Sequence, residues 1–227
     1  MNYLNLFAER GGEFLISYAD FVAKASNIKA IAFDWDGVYN SGVKGNDVYS
    51  NFSEVDSMGL NILRFGYQLY TGKILCAGII SGMNNLSTEI FIKREHLDFK
   101  CLGFKDKNEG FLHVIKEYNI LPSEVAFVYD DILDLTLAKQ CGLRFQVRRN
   151  ATPMFTNYIK DHQLADYVTA STGECFAVRE VCELLLASIG MYDDAVENRI
   201  NFSDTYAKYI AERNTIETKA FLPEKNY

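Results

Sequence analysis

At 227 residues, 48% hydrophobic and 23% charged, the chain can bury one sizeable core and has the composition of a folded globular domain. A disordered or collagen-like chain is excluded. The formal net charge of −7 argues against a general nucleic-acid binder, which carries a basic face, and leaves small anionic substrates open, because one local cation overrides the global balance. The five cysteines (Cys76, Cys101, Cys141, Cys175, Cys182) form no Cys-x-x-Cys pair, are odd in number and lie mostly in apolar runs. They read as free buried thiols of a reducing compartment, not as a disulfide or zinc framework. No apolar run approaches the roughly 18 residues of a membrane span, and the N-terminus lacks a basic leader, so a cytoplasmic protein with no membrane partner is expected.

Residues 2–26 read as an amphipathic helical segment with Leu4, Phe7, Phe14, Leu15, Tyr18 and Phe21 near one side. Strand-like runs follow at Ile28–Phe33, Ile74–Ile80, Lys100–Leu102, Val125–Tyr129, Phe145–Val147 and Tyr167–Val168. Between them lie helical patterns at Gly59–Tyr70, Leu86–Glu95, Asn108–Tyr118 and Ile132–Cys141; Glu174–Ser188 follows the last strand. Strands alternating with helices indicate βαβ units. The expected fold is therefore α/β: a three-layer, Rossmann-like parallel sheet with helices on both faces. Residues 38–55 break the alternation and read as a small β-hairpin turned at Lys44–Asp47. The expected organisation is an N-terminal helical extension (1–27), a main domain (28–190) and a polar, charge-mixed tail (191–227) with a helix near Asp204–Arg213.

In a parallel α/β sheet, ligands bind beyond the carboxyl ends of the strands. The first core strand runs into IAFDWDGVYNSG, which puts Asp34 and Asp36 at its mouth. The ILCAGII strand ends in Ser81-Gly82, and VAFVY ends in Asp130-Asp131 with Asp134 one helical turn on. Lys107 lies just before the Asn108–Tyr118 helix. Hard oxygen ligands, a hydroxyl and an ammonium thus converge on one end of the sheet, a constellation for Mg²⁺ and a phosphoryl group. Trp35 falls on the opposite side of the strand by alternation and is expected in the core. Glu54 and Asp56 read as a solvated face, Asp131 equally as a helix cap, and His96, His113 and His162 lack ligand spacing.

In this order, DxDG, a strand-terminal Ser, a Lys and DDxxD, the chain resembles the haloacid dehalogenase superfamily of phosphatases. It is most similar to the small-cap 3-deoxy-D-manno-octulosonate 8-phosphate (KDO 8-phosphate) phosphatases. The matching pieces are IKAIAFDWDGV, FSEVDSMGLNIL, IISG, FKDKNEG, DDILDL and ADYVT with AVREVCELLL, in order from Ile28 to Leu186. The resemblance implies a phosphomonoesterase with Mg²⁺ as cofactor and a small phosphorylated sugar acid as substrate, and hence a place in lipopolysaccharide biosynthesis. Asp34 would be the nucleophile, forming an aspartyl-phosphate, and Asp36 the general acid and base. Asp34, the Asp36 carbonyl and Asp130 would hold the metal, Ser81 and Lys107 the phosphoryl group, with Asp131 and Asp134 orienting metal-bound water and the lysine. A homotetramer is also implied, with the hairpin in its interface, a C-terminal segment closing a neighbour's site, and Arg179 reaching a neighbour's substrate or forming a plain salt bridge.

Only 44 residues separate Asp36 from Ser81, and 25 separate Ser81 from Lys107, so neither gap holds a separate cap domain. Three positions depart from the family pattern. Tyr129 replaces a glycine before the acidic pair and is expected to narrow the pocket or shift the metal loop. Met83 replaces an arginine after the IISG turn, and Gly173–Phe176 (GECF) replaces a glycine-rich run. These leave two alternatives: a phosphatase for a different small metabolite, or a non-catalytic oligomeric scaffold that kept the fold. A phosphoacceptor receiver domain fits less well, because its acidic pair is adjacent and its acceptor sits on a later strand.

Overall fold

The computed structural model describes residues 3–45 and 50–223. Its centre is an eight-stranded sheet of β1 (Glu13–Phe14), β2 (Ala30–Phe33), β3 (Cys76–Ser81), β4 (Phe99–Leu102), β5 (Val125–Tyr129), β6 (Leu143–Gln146), β7 (Tyr167–Val168) and β8 (Lys219–Phe221). The spatial order is β1-β7-β6-β5-β2-β3-β4-β8, parallel throughout except for the antiparallel edge pair β1–β7. Strand β2 lies mid-sheet, and its residues are buried on both faces, which is why the run reads as continuously apolar. Ile31 and Phe33 enter one core with Phe21, Leu60, Phe91 and Leu184; Ala30 and Ala32 enter the other with Phe111, Leu137 and Ile159. The first layer comprises α1 (Tyr3–Glu9), α2 (Tyr18–Ser26), α3 (Glu54–Thr71), α4 (Leu86–Glu95) and α8 (Ala177–Ser188). The second comprises α5 (Lys107–Tyr118), α6 (Leu135–Ala138) and α7 (Pro153–Asp161).

The N-terminal segment is not one helix. Gly11 takes φ +99°, and a Cβ on Gly12 would overlap the Tyr167 hydroxyl, so the Gly-Gly pair stops α1 and lets Glu13–Phe14 pair with β7. The expected helix Ile132–Cys141 is also shorter. It is a 3₁₀ turn, Ile132–Asp134, followed by the single-turn α6. The chain must reverse at Gly142, where a Cβ would overlap Ser123 O and whose N–H bonds Val125 O at 3.1 Å. The helix expected from Glu174 starts at Ala177, after the 3₁₀ turn Gly173–Cys175 and Phe176 at φ +67°.

Sequence patterning missed α7, the helix α9 (Tyr192–Ile200) and the edge strands β1 and β8, all too short or too polar to carry a clear period. The helix α10 (Asp204–Arg213) falls where expected, capped by Ser203. Tyr206 and Tyr209 hydrogen-bond Asn61 at 2.8 and 3.0 Å, which ties the C-terminal region to α3 before β8 closes the sheet edge beside β4. The tip of the expected hairpin, 46–49, lies outside the described residues, and its described flanks show one isolated bridge residue, Gly45. Among the described residues no helix is long and apolar enough to cross a membrane. Four cysteines are buried thiols and Cys175 is exposed.

Candidate active site

Phe33 is level with Ile79 on one side and Val128 on the other, so β2, β3 and β5 end together. Asp34 follows β2 and extends the pairing by one residue, its N–H donating to Val128 O at 2.9 Å. Alternation sends Trp35 into the first core, fully buried, with Nε1 donating to Ser50 O at 3.1 Å. Asp130 follows β5. Asp134 is held in the 3₁₀ turn, where its Oδ2 accepts the Asp131 N–H at 3.2 Å. Lys107 opens α5, whose start is capped by Asp106.

These four side chains are buried together. Carboxylate oxygens of Asp34, Asp130 and Asp134 lie within 4.8 Å of one another. Lys107 Nζ is 2.5 Å from Asp34 Oδ1 and also bonds Asp134 Oδ1, while Asp130 Oδ2 takes Nη2 of Arg149. Burial, reinforced by Asp134 and opposed by Lys107, pushes the Asp34 carboxyl up to about 7. Burial and the Asp34 charge push Asp130 up to about 8, against the pull of Arg149. Burial alone would lower the Lys107 ammonium; Asp34 and Asp134 outweigh it and hold it well above its ordinary range. Three carboxylates face two cations, Lys107 and Arg149, so full ionisation leaves one negative charge uncompensated in a dry site. An all-oxygen donor set of this size and charge fits a hard divalent cation.

The remaining sequence candidates fall around this cluster. Asp36 is less buried; its Oδ2 is 2.9 Å from Lys44 Nζ, and its Oδ1 is buried with no partner among the described residues. Ser81 ends β3, 2% exposed, its hydroxyl accepting the Met83 N–H at 3.3 Å. Asp131 is exposed and caps the following turn, accepting from Ile132 N at 2.7 Å. Arg179 lies apart on α8, packed over Gly59 and paired with Glu183 of its own helix at 2.7 Å. The reading of Asp56 as solvated is corrected: it is fully buried, accepts the Arg179 N–H at 2.9 Å and the Ser53 hydroxyl at 2.8 Å, and so joins α3 to α8. Burial pushes it up to about 6. Glu54 is exposed and pairs with Arg94.

No family model matches the chain. The KDO 8-phosphate phosphatase of Escherichia coli K12 is 32% identical over 180 residues, covering 78% of this chain and 89% of that protein. The chain belongs to the KDO 8-phosphate phosphatase family of the haloacid dehalogenase superfamily. A putative superfamily hydrolase of subfamily III A from Legionella pneumophila superposes with a TM-score of 0.68 at 27% identity, covering 81% of this chain and 95% of that one. The Moraxella catarrhalis KDO 8-phosphate phosphatase, solved with a magnesium ion, phosphate and KDO, gives 0.65 at 26% identity, over 79% and 97%.

Against that family pattern, Tyr129 does not act as its size suggests. Its ring is fully buried in the second core, stacked on Phe127 at 5.7 Å, and its hydroxyl donates to Leu164 O at 2.9 Å, so the bulk is absorbed away from the strand mouth. Met83 is 53% exposed and offers no polar side-chain donor. Gly173 keeps the one glycine its position requires, since a Cβ there would overlap Gly37 O and Asn40 O. Arg149 is the site residue that sequence reasoning missed. Its signal was a charged pair, Arg148-Arg149, directly beyond a strand end of the same sheet face.

Proposed function

We propose that the chain is a Mg²⁺-dependent phosphomonoesterase acting through an aspartyl-phosphate on a small sugar acid phosphate such as KDO 8-phosphate. The observation that carries this reading is the buried Asp34–Asp130–Asp134 cluster with Lys107 against it. Asp34, Asp130 and the Asp36 carbonyl would hold Mg²⁺, which when bound offsets the surplus negative charge and polarises a phosphoryl oxygen. An Asp34 oxygen attacks phosphorus, and the bond to the leaving oxygen breaks as the Asp36 carboxyl donates its proton to the alcohol. Water then attacks the phosphorus, Asp36 takes its proton, and inorganic phosphate leaves Asp34. The Asp36 Oδ1, without a partner among the described residues, supports the proton-carrying role. Lys107 compensates charge on the transferring group, and Ser81 donates to it; Asp134 holds the lysine.

A cytoplasmic homotetramer that releases KDO for lipopolysaccharide biosynthesis belongs to the same reading. Leu86 and Ile90, exposed one helical turn apart on α4 beside exposed Met83, support a subunit contact there. Arg179, paired with Glu183 of its own helix, keeps in this reading the alternatives of reaching a neighbour's substrate or serving as a salt bridge only.

The test is phosphate release from a panel of sugar acid phosphates, KDO 8-phosphate included, with and without Mg²⁺, in the wild type and in Asp34→Asn. Metal-dependent release abolished in a folded Asp34→Asn supports the proposal. Release that survives that change, or no release from any phosphate by a folded, metal-binding protein, overturns it.

A further inference from the structure

Beside the acidic cluster lies a second, polar cleft of about 320 Å³, between residues 37–41, 149–151 and 172–174. That volume is at the lower end of the small-molecule range. Arg149 stands at its junction with the acidic cluster. Among the described residues the only partner of its guanidinium is Asp130, through Nη2, so Nε and Nη1 remain free to donate, and the side chain is 36% exposed. Arg148 differs. It too lines the cleft, but its Nε is held by Thr169 O at 2.8 Å and its Nη2 by Gly11 O at 3.0 Å and Glu13 at 2.8 Å. Thr172 also lines the cleft, and its hydroxyl is buried with no partner among the described residues.

Two glycines give the cleft its shape. A Cβ on Gly37 would overlap both Asp130 Oδ2 and Arg149 Nη2, and one on Gly173 would overlap the carbonyls of the 37–41 turn. The backbone therefore closes directly over the Arg149–Asp130 pair. Since Asp130 is also one of the three clustered carboxylates, the guanidinium is a single carboxylate away from Asp34. The Asp34–Lys107 position and Arg149 are thus separated by the width of one carboxylate, a spacing within the length of a small sugar acid phosphate.

We propose that this cleft is the subsite for the carboxylate end of the substrate, with Arg149 as the residue that selects an acid over a neutral sugar phosphate. This rests on the phosphatase reading above. A guanidinium offers a carboxylate a planar two-donor edge, and because Nη2 carries two hydrogens of which Asp130 takes one, one such edge of Arg149 stays open, a fit that the point charge of a lysine does not give. Thr172 and the exposed Ser41 and Asn150 supply partners for neighbouring hydroxyls. Exposed Glu174, the one acid of the lining among the described residues, turns an anion away from the rim and toward the arginine.

The test compares wild type, Arg149→Met and Arg149→Lys on KDO 8-phosphate and on a neutral sugar phosphate of similar length. Binding of KDO itself to each protein is followed by calorimetry, and Mg²⁺ affinity is measured alongside. Arg149→Met is expected to lower the preference for the acid substrate by about ten- to hundred-fold, chiefly in KM, and to weaken KDO binding by a similar factor, with Arg149→Lys recovering part of both. An equal loss on both substrates, or KDO binding that is absent in the wild type or unchanged in Arg149→Met, overturns the proposal and leaves Arg149 as a support for Asp130. If the wild type hydrolyses neither phosphate, the phosphatase reading fails, and the calorimetry still decides the subsite.

Discussion

The protein buries two charged networks at opposite ends of its strands, and they are built to different rules. Around Arg64, 1% exposed, each donor atom is used: Nε on Leu75 O at 3.2 Å, Nη1 on the carbonyls of Glu95 and His96 at 2.9 and 3.1 Å, and Nη2 on Asp98 Oδ2 at 2.9 Å. Asp98 Oδ2 in turn accepts from Ala77 N at 2.8 Å. That network is closed and ties α3 to β3 and β4. Around Lys107 the ammonium serves Asp34 and Asp134 while Asp130 pairs with Arg149, and Asp34 and Asp130 are still pushed far above the ordinary carboxylate range. A structural network satisfies its charges; this one leaves charge unsatisfied until a cation arrives.

Removing the central cation of each network separates the two most sharply. Arg64→Met leaves Asp98 and three carbonyls without their donor and is expected to cost about 3–5 kcal/mol in urea unfolding, with Mg²⁺ affinity of the folded fraction unchanged. Lys107→Met should lose about 10²- to 10³-fold in phosphate release. Its stability loss should be smaller than that of Arg64→Met, because Asp34, already raised by burial, can retain a proton in place of the ammonium, and Mg²⁺ should restore most of it. Equal stability costs, both insensitive to Mg²⁺, would erase the distinction.

The pH dependence follows from the same contrast. Asp34 and Asp130 titrate at about 7 and about 8 in the folded protein, against roughly 4 in an unfolded chain. Between those values the folded state holds protons that the unfolded state has released, so stability of the metal-free protein is greatest below about pH 4 for these groups and is lost as pH rises through 7 to 8. Melting temperatures measured without metal should fall over that window, and saturating Mg²⁺, which favours the ionised carboxylates, should flatten the upper part. Asp56, raised to about 6 by burial far from any proposed ligand, contributes a decline of the same sign that Mg²⁺ should not remove.

How much of this was legible in the sequence differs between the two networks as well. The grouping of the acidic cluster was readable because Asp34 and Asp130 follow strand ends, Asp134 lies in the turn after one and Lys107 opens a helix, at spacings a parallel sheet brings together. Arg64 was invisible, since an arginine inside a helical pattern reads as solvated until the carbonyls it serves are in place. Arg149 was missed for a related reason: nothing local distinguishes it from Arg148, and only the fold decides that one is tied to Glu13 and the other to Asp130 of the acidic cluster. Tyr129 was misjudged because strand alternation fixes a residue's face, not the depth of the core beyond it. The edge strands β1 and β8 are two and three residues long and gain their structure from partners distant in sequence.

Gly173→Ala probes the contact that closes the cleft over the acidic cluster. Its Cβ would meet two carbonyl oxygens of the 37–41 turn, backbone atoms that cannot swing aside, so a stability loss of about 1–3 kcal/mol is expected together with a raised KM. Gly72→Ala makes a useful contrast. That residue has open space around it but a φ of +76°, so any loss there is conformational, about 1 kcal/mol, and should leave KM untouched.

The smallest effect is expected at Asp131, and it discriminates between two roles for the second acid of the pair. As an orienting group for metal-bound water it would be costly to remove; as the exposed cap seen here it accepts from Ile132 N at 2.7 Å and little else. Asp131→Ala should therefore cost about 1 kcal/mol or less in thermal unfolding, Asp131→Asn almost nothing, and neither should change phosphate release more than a few-fold. Asp134→Asn, one turn away and buried against Lys107, serves as the paired control and should reduce release strongly. A large loss in Asp131→Asn would mean that its carboxylate charge, not its capping oxygen, is what the site uses, and the open network would then extend one residue further toward solvent than its burial suggests.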